Sequence, residues 1–356
     1  MHTRCFITVA TLFFFNLPFP GSEWVHANQN PERAVLWIKN LNTEIVVPPI
    51  VSQGVIYLAD QQGVVSALST RNGQLLWQTR VEGSVSVAAC LYQSFLLIAT
   101  KSGRLVALDA STGASRWSFT AGGPILSAPV ADSERVYFGA HDLNVYALAA
   151  DSGNLEWRVP VEGYKYDGLY AAPELDDQWL YIGVKNGLLY ALDKNTGVRH
   201  WRSQLRSAIY DRVLRLDDSL IVGAYDRSIY RLDAADGSVE WRTELNDWPQ
   251  GTPLPHRDHL YIGSRTGILY ALEPASGRIA WSKPLAAGFR HAPVRIDDER
   301  AIIGSFDGRL LILDLDKRSL LSTVDLGAEL FAKPVVTREG VFIASRDGRV
   351  FKLDLR

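Results

Sequence analysis

"GLLYALDKNTGVRHW", residues 187–201, joins two short apolar segments through turn residues and ends on a tryptophan. Nearly the same phrase stands at 103–117 as "GRLVALDASTGASRW" and at 267–281 as "GILYALEPASGRIAW". Self-similarity at a fixed period is the mark of a repeat architecture, so this phrase decides the fold class.

The repeat keeps one phase along almost the whole chain. Seven tryptophans follow one another at intervals of 40, 40, 40, 44, 40 and 40 residues, and Leu321 stands 40 residues beyond the last. These tryptophans are Trp37, Trp77, Trp117, Trp157, Trp201, Trp241 and Trp281. Six of them have a glycine four residues earlier, and the leucine of the "YAL" segment recurs eight times.

Each repeat resolves into four short strands. In one unit these are "APVAD" (128–132), "RVYFGA" (135–140), "NVYALAA" (144–150) and "NLEWRV" (154–159), separated by turn signals. A four-stranded antiparallel unit of this length, repeated in tandem, predicts a β-propeller, because neighbouring sheets must cover each other's faces. We expect each tryptophan to pack against the next blade and to donate its indole N–H to a backbone carbonyl.

The ends of the chain complete the last blade. After the eighth "YAL"-type strand, "VFKLDL" (350–355), no fourth strand follows, whereas an unused outer strand, "AVLWIKN", stands at 34–40. We therefore predict one all-β domain over 28–356, an eight-bladed propeller whose last blade is closed by the N-terminal strand.

Residues 1–27 read as a cleaved signal peptide. An apolar run follows "MHTR", Pro18 and Pro20 interrupt it, and "VHA" at 25–27 suits cleavage after Ala27. An uncleaved anchor is the alternative. Cys5 lies in this segment, which leaves Cys90 without a partner, and we expect Cys90 to be a buried and inert thiol. The prediction is a soluble periplasmic or secreted protein, or one held at the outer membrane through a partner.

The net charge of the chain limits the classes of binding partner that we expect. The 356 residues carry a formal net charge of -2, which gives no reason to expect nucleic acid or direct membrane insertion. We expect a monomer that binds another envelope protein.

Units such as "GRLVALDASTGASRW" resemble the tryptophan-docking repeats of the pyrroloquinoline-quinone-type propellers. Within that group, the length, the export signal and the ending "SRDGRVFKLDLR" are most similar to the BamB family of outer-membrane β-barrel assembly factors. This resemblance implies a periplasmic binding scaffold without catalysis or cofactor. Proteins of that family typically carry a lipidated cysteine at the cleavage site, and this chain has none there.

Two other functions stay open. The quinoprotein dehydrogenases of the same group hold a quinone and calcium on the propeller axis. They are much longer and typically carry a vicinal cysteine pair, which is absent here. A propeller that senses a ligand or carbohydrate also agrees with the aromatic loops described below.

The other polar motifs indicate a role in stabilising turns and not a role in catalysis or metal binding. The carboxylate pairs Asp176-Asp177, Asp217-Asp218 and Asp297-Asp298 share one phase, at the turn between first and second strands, where aspartate stabilises turns. We expect His256 and His259, in "HRDH", to be exposed turn residues. "LDLDKRS" (313–319) lacks the glycine of a calcium loop. We therefore predict no catalytic or metal-binding residues.

The connections between blades are the remaining candidates, because propellers gather these loops on one face around the axis. Here they combine aromatic residues with arginine, a mixture that protein-binding hot spots favour. The alternative is that the aromatics fill the central channel. The candidates are Tyr166, Asp167, Tyr170, Tyr210, Arg212, Trp248, Phe289, Arg290, His291, Phe331 and Lys333.

Overall fold

A computed structural model describes residues 34–163 and 167–355. Over these residues the protein is all-β and forms an eight-bladed propeller of four-stranded antiparallel sheets, which confirms the predicted fold class. The core lies between blades. One cluster, for example, joins Tyr181 and Trp201 of the fourth blade to Ile209, Leu220 and Tyr230 of the fifth.

Within each blade the strands run from the axis to the perimeter. The innermost strands of blades 1 to 8 are β2 (Ile50–Ser52), β6 (Cys90–Tyr92), β10 (Val130–Ala131), β14 (Glu174–Leu175), β18 (Leu214–Leu216), β22 (Pro249–His256), β26 (Val294–Arg295) and β30 (Val335–Thr337). The second strands are β3 (Val55–Ala59), β7 (Phe95–Ala99), β11 (Arg135–Gly139), β15 (Trp179–Gly183), β19 (Ser219–Ala224), β23 (His259–Ser264), β27 (Arg300–Gly304) and β31 (Gly340–Ala344).

The outer half of each blade carries the quoted phrase. The third strands are β4 (Val64–Ser69), β8 (Arg104–Asp109), β12 (Asn144–Ala149), β16 (Leu188–Asp193), β20 (Ser228–Asp233), β24 (Ile268–Leu272), β28 (Arg309–Asp314) and β32 (Arg349–Leu353). The outer strands are β5 (Leu75–Arg80), β9 (Ser115–Thr120), β13 (Leu155–Pro160), β17 (Arg199–Gln204), β21 (Val239–Glu244), β25 (Ile279–Pro284), β29 (Ser319–Asp325) and, for blade 8, β1 (Val35–Asn40).

The seam of the ring lies in blade 8. β1 pairs antiparallel with β32, with Trp37 opposite Lys352 and Ile38 opposite Phe351. The N-terminal strand therefore supplies the fourth strand of the last blade, as the sequence predicts.

The tryptophans of the outer strands dock on the following blade, and six of the seven donate the expected hydrogen bond. The N–H groups of Trp37, Trp77, Trp117, Trp157, Trp201 and Trp241 lie 2.9–3.1 Å from the carbonyl oxygens of Thr70, Ala110, Ala150, Lys194, Ala234 and Pro274. Trp281 Nε1 is buried without a partner in the described part of the chain. The carbonyl of Leu315 stands at the repeat position of the other six acceptors, and here it accepts the hydroxyl of Tyr261 at 2.6 Å.

The predicted signal peptide, residues 1–27, lies outside the described residues. In the described ranges, no helix combines the length and the apolar character needed to cross a bilayer. Cys90 is half-buried on β6, and burial raises the pKa of its thiol to about 11, so the thiol is protonated at neutral pH.

Candidate functional site

The loops between blades surround a cavity of about 680 Å³, which we call the axial cavity. Its walls contain two tiers of side chains. One tier lies at the start of the innermost strands and consists of Ser86, Leu126, Tyr170, Tyr210, Gln250, Arg290 and Phe331. The other lies in the turns after the second strands and consists of Lys101, Tyr225, Arg265 and Phe306. Because these residues come from seven successive blades, the cavity lies on the propeller axis.

Five of the predicted residues line this cavity: Tyr170, Tyr210, Arg290, His291 and Phe331. Phe289 does not, because it is fully buried in the core between blades 6 and 7. It occupies the repeat position of Ile209 and Leu330, whose backbone N–H groups make the equivalent hydrogen bond to the preceding blade.

The loop of blade 4 is described only in part. Tyr166 lies outside the described residues. Asp167, the first described residue after it, is half-buried.

One side of the cavity mouth is an aromatic wall formed by His141, Tyr170, Tyr210, Tyr225 and Trp248. Successive ring centroids along this wall are 4.5, 5.2, 5.1 and 6.0 Å apart. Trp248 also donates its indole N–H to Tyr225 O, at 3.1 Å. The first three of these contacts are edge-to-face and the Tyr225–Trp248 pair is tilted. Together with the indole hydrogen bond they hold the rings in place, so the wall is a preformed surface.

On the opposite side, Phe306 and Phe331 stack with centroids 5.2 Å apart. His141, Tyr225 and Phe306 were not among the residues predicted from the sequence. A signal for them existed, since all three occupy one phase of the repeat, just after the second strand.

The charges around the cavity are unevenly distributed. Lys101, Arg265 and Arg290 contribute three cations to the lining, and Asp211 contributes a carboxylate. Asp211 accepts the N–H of Gly251 at 3.0 Å, and burial raises its pKa.

Two further predicted residues, Arg212 and Lys333, stand two positions after Tyr210 and Phe331 and therefore closer to the innermost strands. Arg212 pairs with Glu174 of the neighbouring blade. Burial and the field of Arg212 lower the pKa of Lys333.

His291 is a second titratable group of the cavity wall whose pKa is shifted. Its Nε2 lies 2.7 Å from Phe331 O, a carbonyl to which it donates as a neutral imidazole. The pKa of His291 is lowered to about 4, mainly by burial, and the nearby cations Lys333 and Arg290 contribute to this shift. The imidazole is therefore neutral at physiological pH and acts as a hydrogen-bond donor to the backbone.

The "HRDH" prediction was wrong, because the structure buries both histidines. His256 and His259 are only 4% and 8% exposed. His256 Nε2 lies 2.8 Å from Asp316 Oδ1, and its Nδ1 lies 3.2 Å from an Arg295 guanidinium nitrogen, so blade 7 covers this turn of blade 6.

In two of the three aspartate pairs, the carboxylate of the first aspartate accepts hydrogen bonds within its turn. Asp176 Oδ1 accepts the backbone N–H groups of Gln178 and Trp179, at 2.8 and 2.6 Å. Asp297 Oδ1 makes the same pair of bonds with Glu299 and Arg300, at 3.0 and 2.8 Å. These contacts agree with the structural role expected from the sequence.

A protein-bound calcium ion takes six to eight oxygen ligands. Over residues 34–163 and 167–355, no three His, Cys, Asp or Glu side chains come together as a metal site. Asp211 lies instead in the field of Arg290 and Lys333. The acidic side chain in the lining of the axial cavity therefore faces cationic side chains.

Comparisons with known proteins agree with this architecture. The family model described as "Outer membrane protein assembly factor BamB" matches residues 21–91, 63–166 and 145–356. No curated protein sequence matches the chain significantly.

Among solved structures, BamB from Moraxella catarrhalis superposes with a TM-score of 0.76 at 23% identity, covering 90% of this chain and 97% of that one. The designed protein Ika8 gives 0.77 at 18% identity, covering 91% and 100%. A quinohemoprotein alcohol dehydrogenase from Pseudomonas putida gives 0.76 at 16% identity, covering 93% and 78%. At these identities the structural matches establish the fold alone.

Proposed function

Because the chain belongs to the BamB family of outer membrane protein assembly factors, we propose that it is a non-catalytic scaffold in the assembly of outer-membrane β-barrel proteins. It acts in the periplasm, after export through residues 1–27, and it binds another subunit of the assembly machinery. The face that contains the axial cavity is the binding face.

The observation that carries the proposal is the composition of that face. A preformed aromatic wall stands beside arginine and lysine side chains, and Arg265 links the two. Its guanidinium lies 6.0 Å from the Trp248 ring centroid and 3.1 Å from the Tyr225 hydroxyl. Rigid aromatic side chains with adjacent arginine are the residues that dominate protein-binding energies.

A photo-crosslinking experiment tests the proposal. p-Benzoylphenylalanine is placed at Tyr210 in the full-length chain, cells are irradiated, and crosslinked partners are identified by mass spectrometry. We expect a β-barrel assembly subunit. The matched control is the same probe at Arg71, in the turn between β4 and β5 on the opposite face, which we expect to capture no such subunit.

Two results would overturn the proposal. One is equal capture of assembly subunits from both positions, or capture from neither. The other is dye-linked alcohol oxidation after addition of pyrroloquinoline quinone and calcium, abolished by substitution of Tyr210.

A further inference from the structure

The axial cavity is positively charged within a chain of net charge -2. The side chains of Lys101, Arg290 and Lys333 form no ion pair or hydrogen bond within the described ranges, whereas Arg212 has Glu174 as its partner. Asp211 lies in the field of Arg290 and Lys333, but the cations Lys101, Arg265 and Arg290 outnumber this carboxylate in the lining. An excess of cations in a partly enclosed cavity produces a positive local field, because protein walls screen charge less than water does. The cavity therefore attracts anions.

The cations lie at different depths. Lys101 and Arg265 belong to the turns at the cavity mouth, and Arg290 lies in the tier below them. Lys333 follows Phe331 by two residues toward the innermost strand, which corresponds to roughly 6–7 Å further along the chain. An anion that reaches all of them is an extended molecule with more than one charged group.

Arg212 and Lys333 differ in size from the residues at the same repeat position in the other blades. At the repeat position of Arg212 and Lys333, six other blades have small or short side chains, which are Pro48, Ala88, Ala128, Ala172, Thr252 and Ala292. The positive charge of Arg212 in blade 5 lowers the pKa of Lys333 in blade 8, whereas the carboxylate of Asp211 raises it. A carboxylate that binds beside Lys333 acts in the same direction as Asp211.

We infer that the axial cavity receives an acidic polypeptide segment of the partner, with carboxylates against Arg290 and Lys333 and an aromatic side chain against the aromatic wall. The volume of about 680 Å³ lies within the range of about 300–1,000 Å³ typical of ligand sites. Charge complementarity selects acidic over basic segments, and the wall selects aromatic over small side chains. This inference rests on the proposed scaffold function and specifies the chemistry of the partner.

Isothermal titration calorimetry with capped, unlabelled peptides tests the inference on the full-length protein. The probe is the pentapeptide GEFEG, and the matched control is GQFQG, which has the same shape without charge. We expect GEFEG to bind at least tenfold more tightly in low salt and to weaken steeply as salt is added. Equal binding of the two peptides would overturn the inference.

Variants locate the site. Arg290→Gln and Lys333→Met should each weaken GEFEG binding at least fivefold, because each removes one unpaired cation. Arg71→Gln removes an equal charge from the opposite face and should change binding less than twofold. Thermal unfolding of each variant verifies that the fold is intact. If Arg71→Gln and Arg290→Gln weaken binding equally, the carboxylates do not enter the cavity.

A third ligand separates the two sources of carboxylate. 3-Phenylpropionate carries an aromatic ring and one carboxylate without a peptide, and we expect it to bind at least tenfold more weakly than GEFEG. Equal affinity would assign the cavity to small organic acids and overturn the polypeptide inference. The crosslinking experiment at Tyr210 is independent, so capture of an assembly subunit without GEFEG binding would leave the scaffold proposal standing and remove this one.

Discussion

The indole of Trp77 lies so close to Gly113 of the next blade that a methyl group on Gly113 would come within 2.5 Å of Trp77 Cε3. Gly113 also has a φ of 72°, a conformation that glycine adopts without strain. The glycine four residues before six of the seven docking tryptophans thus has two roles. It turns the chain into the outer strand, and it leaves room for the indole of the preceding blade.

Gly113→Ala should lower the free energy of unfolding by roughly 2–4 kcal/mol, from backbone strain and overpacking together. Gly327→Ala is the matched control, because Gly327 has a similar φ of 66° but no atom within 4 Å of an added methyl group. It should cost only about 1–2 kcal/mol. Urea unfolding of both variants measures the difference. Equal losses would mean that the indole contact contributes nothing.

The two classes of tryptophan should respond differently to loss of the indole N–H. Trp77 donates to Ala110 O at 3.0 Å, whereas Trp281 Nε1 has no partner in the described residues. We expect Trp77→Phe to lower the free energy of unfolding by about 1 kcal/mol more than Trp281→Phe does. Urea unfolding of both proteins provides the measurement. A larger loss for Trp281→Phe would contradict the hydrogen-bond assignment.

The blade count, the seam and the docking of the indoles could be predicted because Trp, Gly and Leu keep one phase in the sequence. The missing indole hydrogen bond of Trp281 could not be predicted from the sequence. The spacing from Leu272 to Leu313 is 41 residues, which signals an irregular junction. It does not reveal that Tyr261 takes the carbonyl of Leu315, because that depends on the packing of two blades.

Asp176 and its neighbour Asp177 should differ sharply on substitution, although they look alike in sequence. Burial raises the pKa of Asp176, but the N–H groups of Trp179 and Gln178, the Tyr181 hydroxyl and the charge of Arg215 together outweigh it and hold the pKa below its ordinary value. Asp177 is exposed. Asp176→Ala should cost roughly 2–4 kcal/mol of stability, because it removes several hydrogen bonds to a charged group. Asp177→Ala should cost less than about 0.5 kcal/mol.

Thermal and urea unfolding with and without a calcium chelator complete this comparison. Neither the parent protein nor the variants should respond to the chelator, since the carboxylate serves the turn. A stability loss of the parent protein on chelation, absent in Asp176→Ala, would instead identify a metal site.

The candidate site was predictable in outline. Tyr170, Tyr210, Arg290 and Phe331 share one phase, so their convergence on the axis follows from the repeat. The burial of Phe289 follows from its position one residue earlier, where the equivalent side chains enter the core. The burial of His256 was not predictable, because Asp316 reaches it from a residue 60 positions away in the chain.

His291 should make the protein less stable in mild acid. Its pKa is about 4 in the folded state, whereas the ordinary value is 6.5, so between these values the unfolded chain binds more protons. The free energy of unfolding therefore rises with pH in this window and falls as the pH drops from 6.5 toward 4. His291 should account for a loss of roughly 3 kcal/mol over the whole window and about 2 kcal/mol at pH 5.

Urea unfolding at pH 7 and pH 5 tests this, with His291→Gln as the comparison, because glutamine retains a donor for Phe331 O but does not titrate. The variant should lose about 2 kcal/mol less than the parent between the two pH values. Equal losses would show that His291 is not the group that takes up the proton on unfolding.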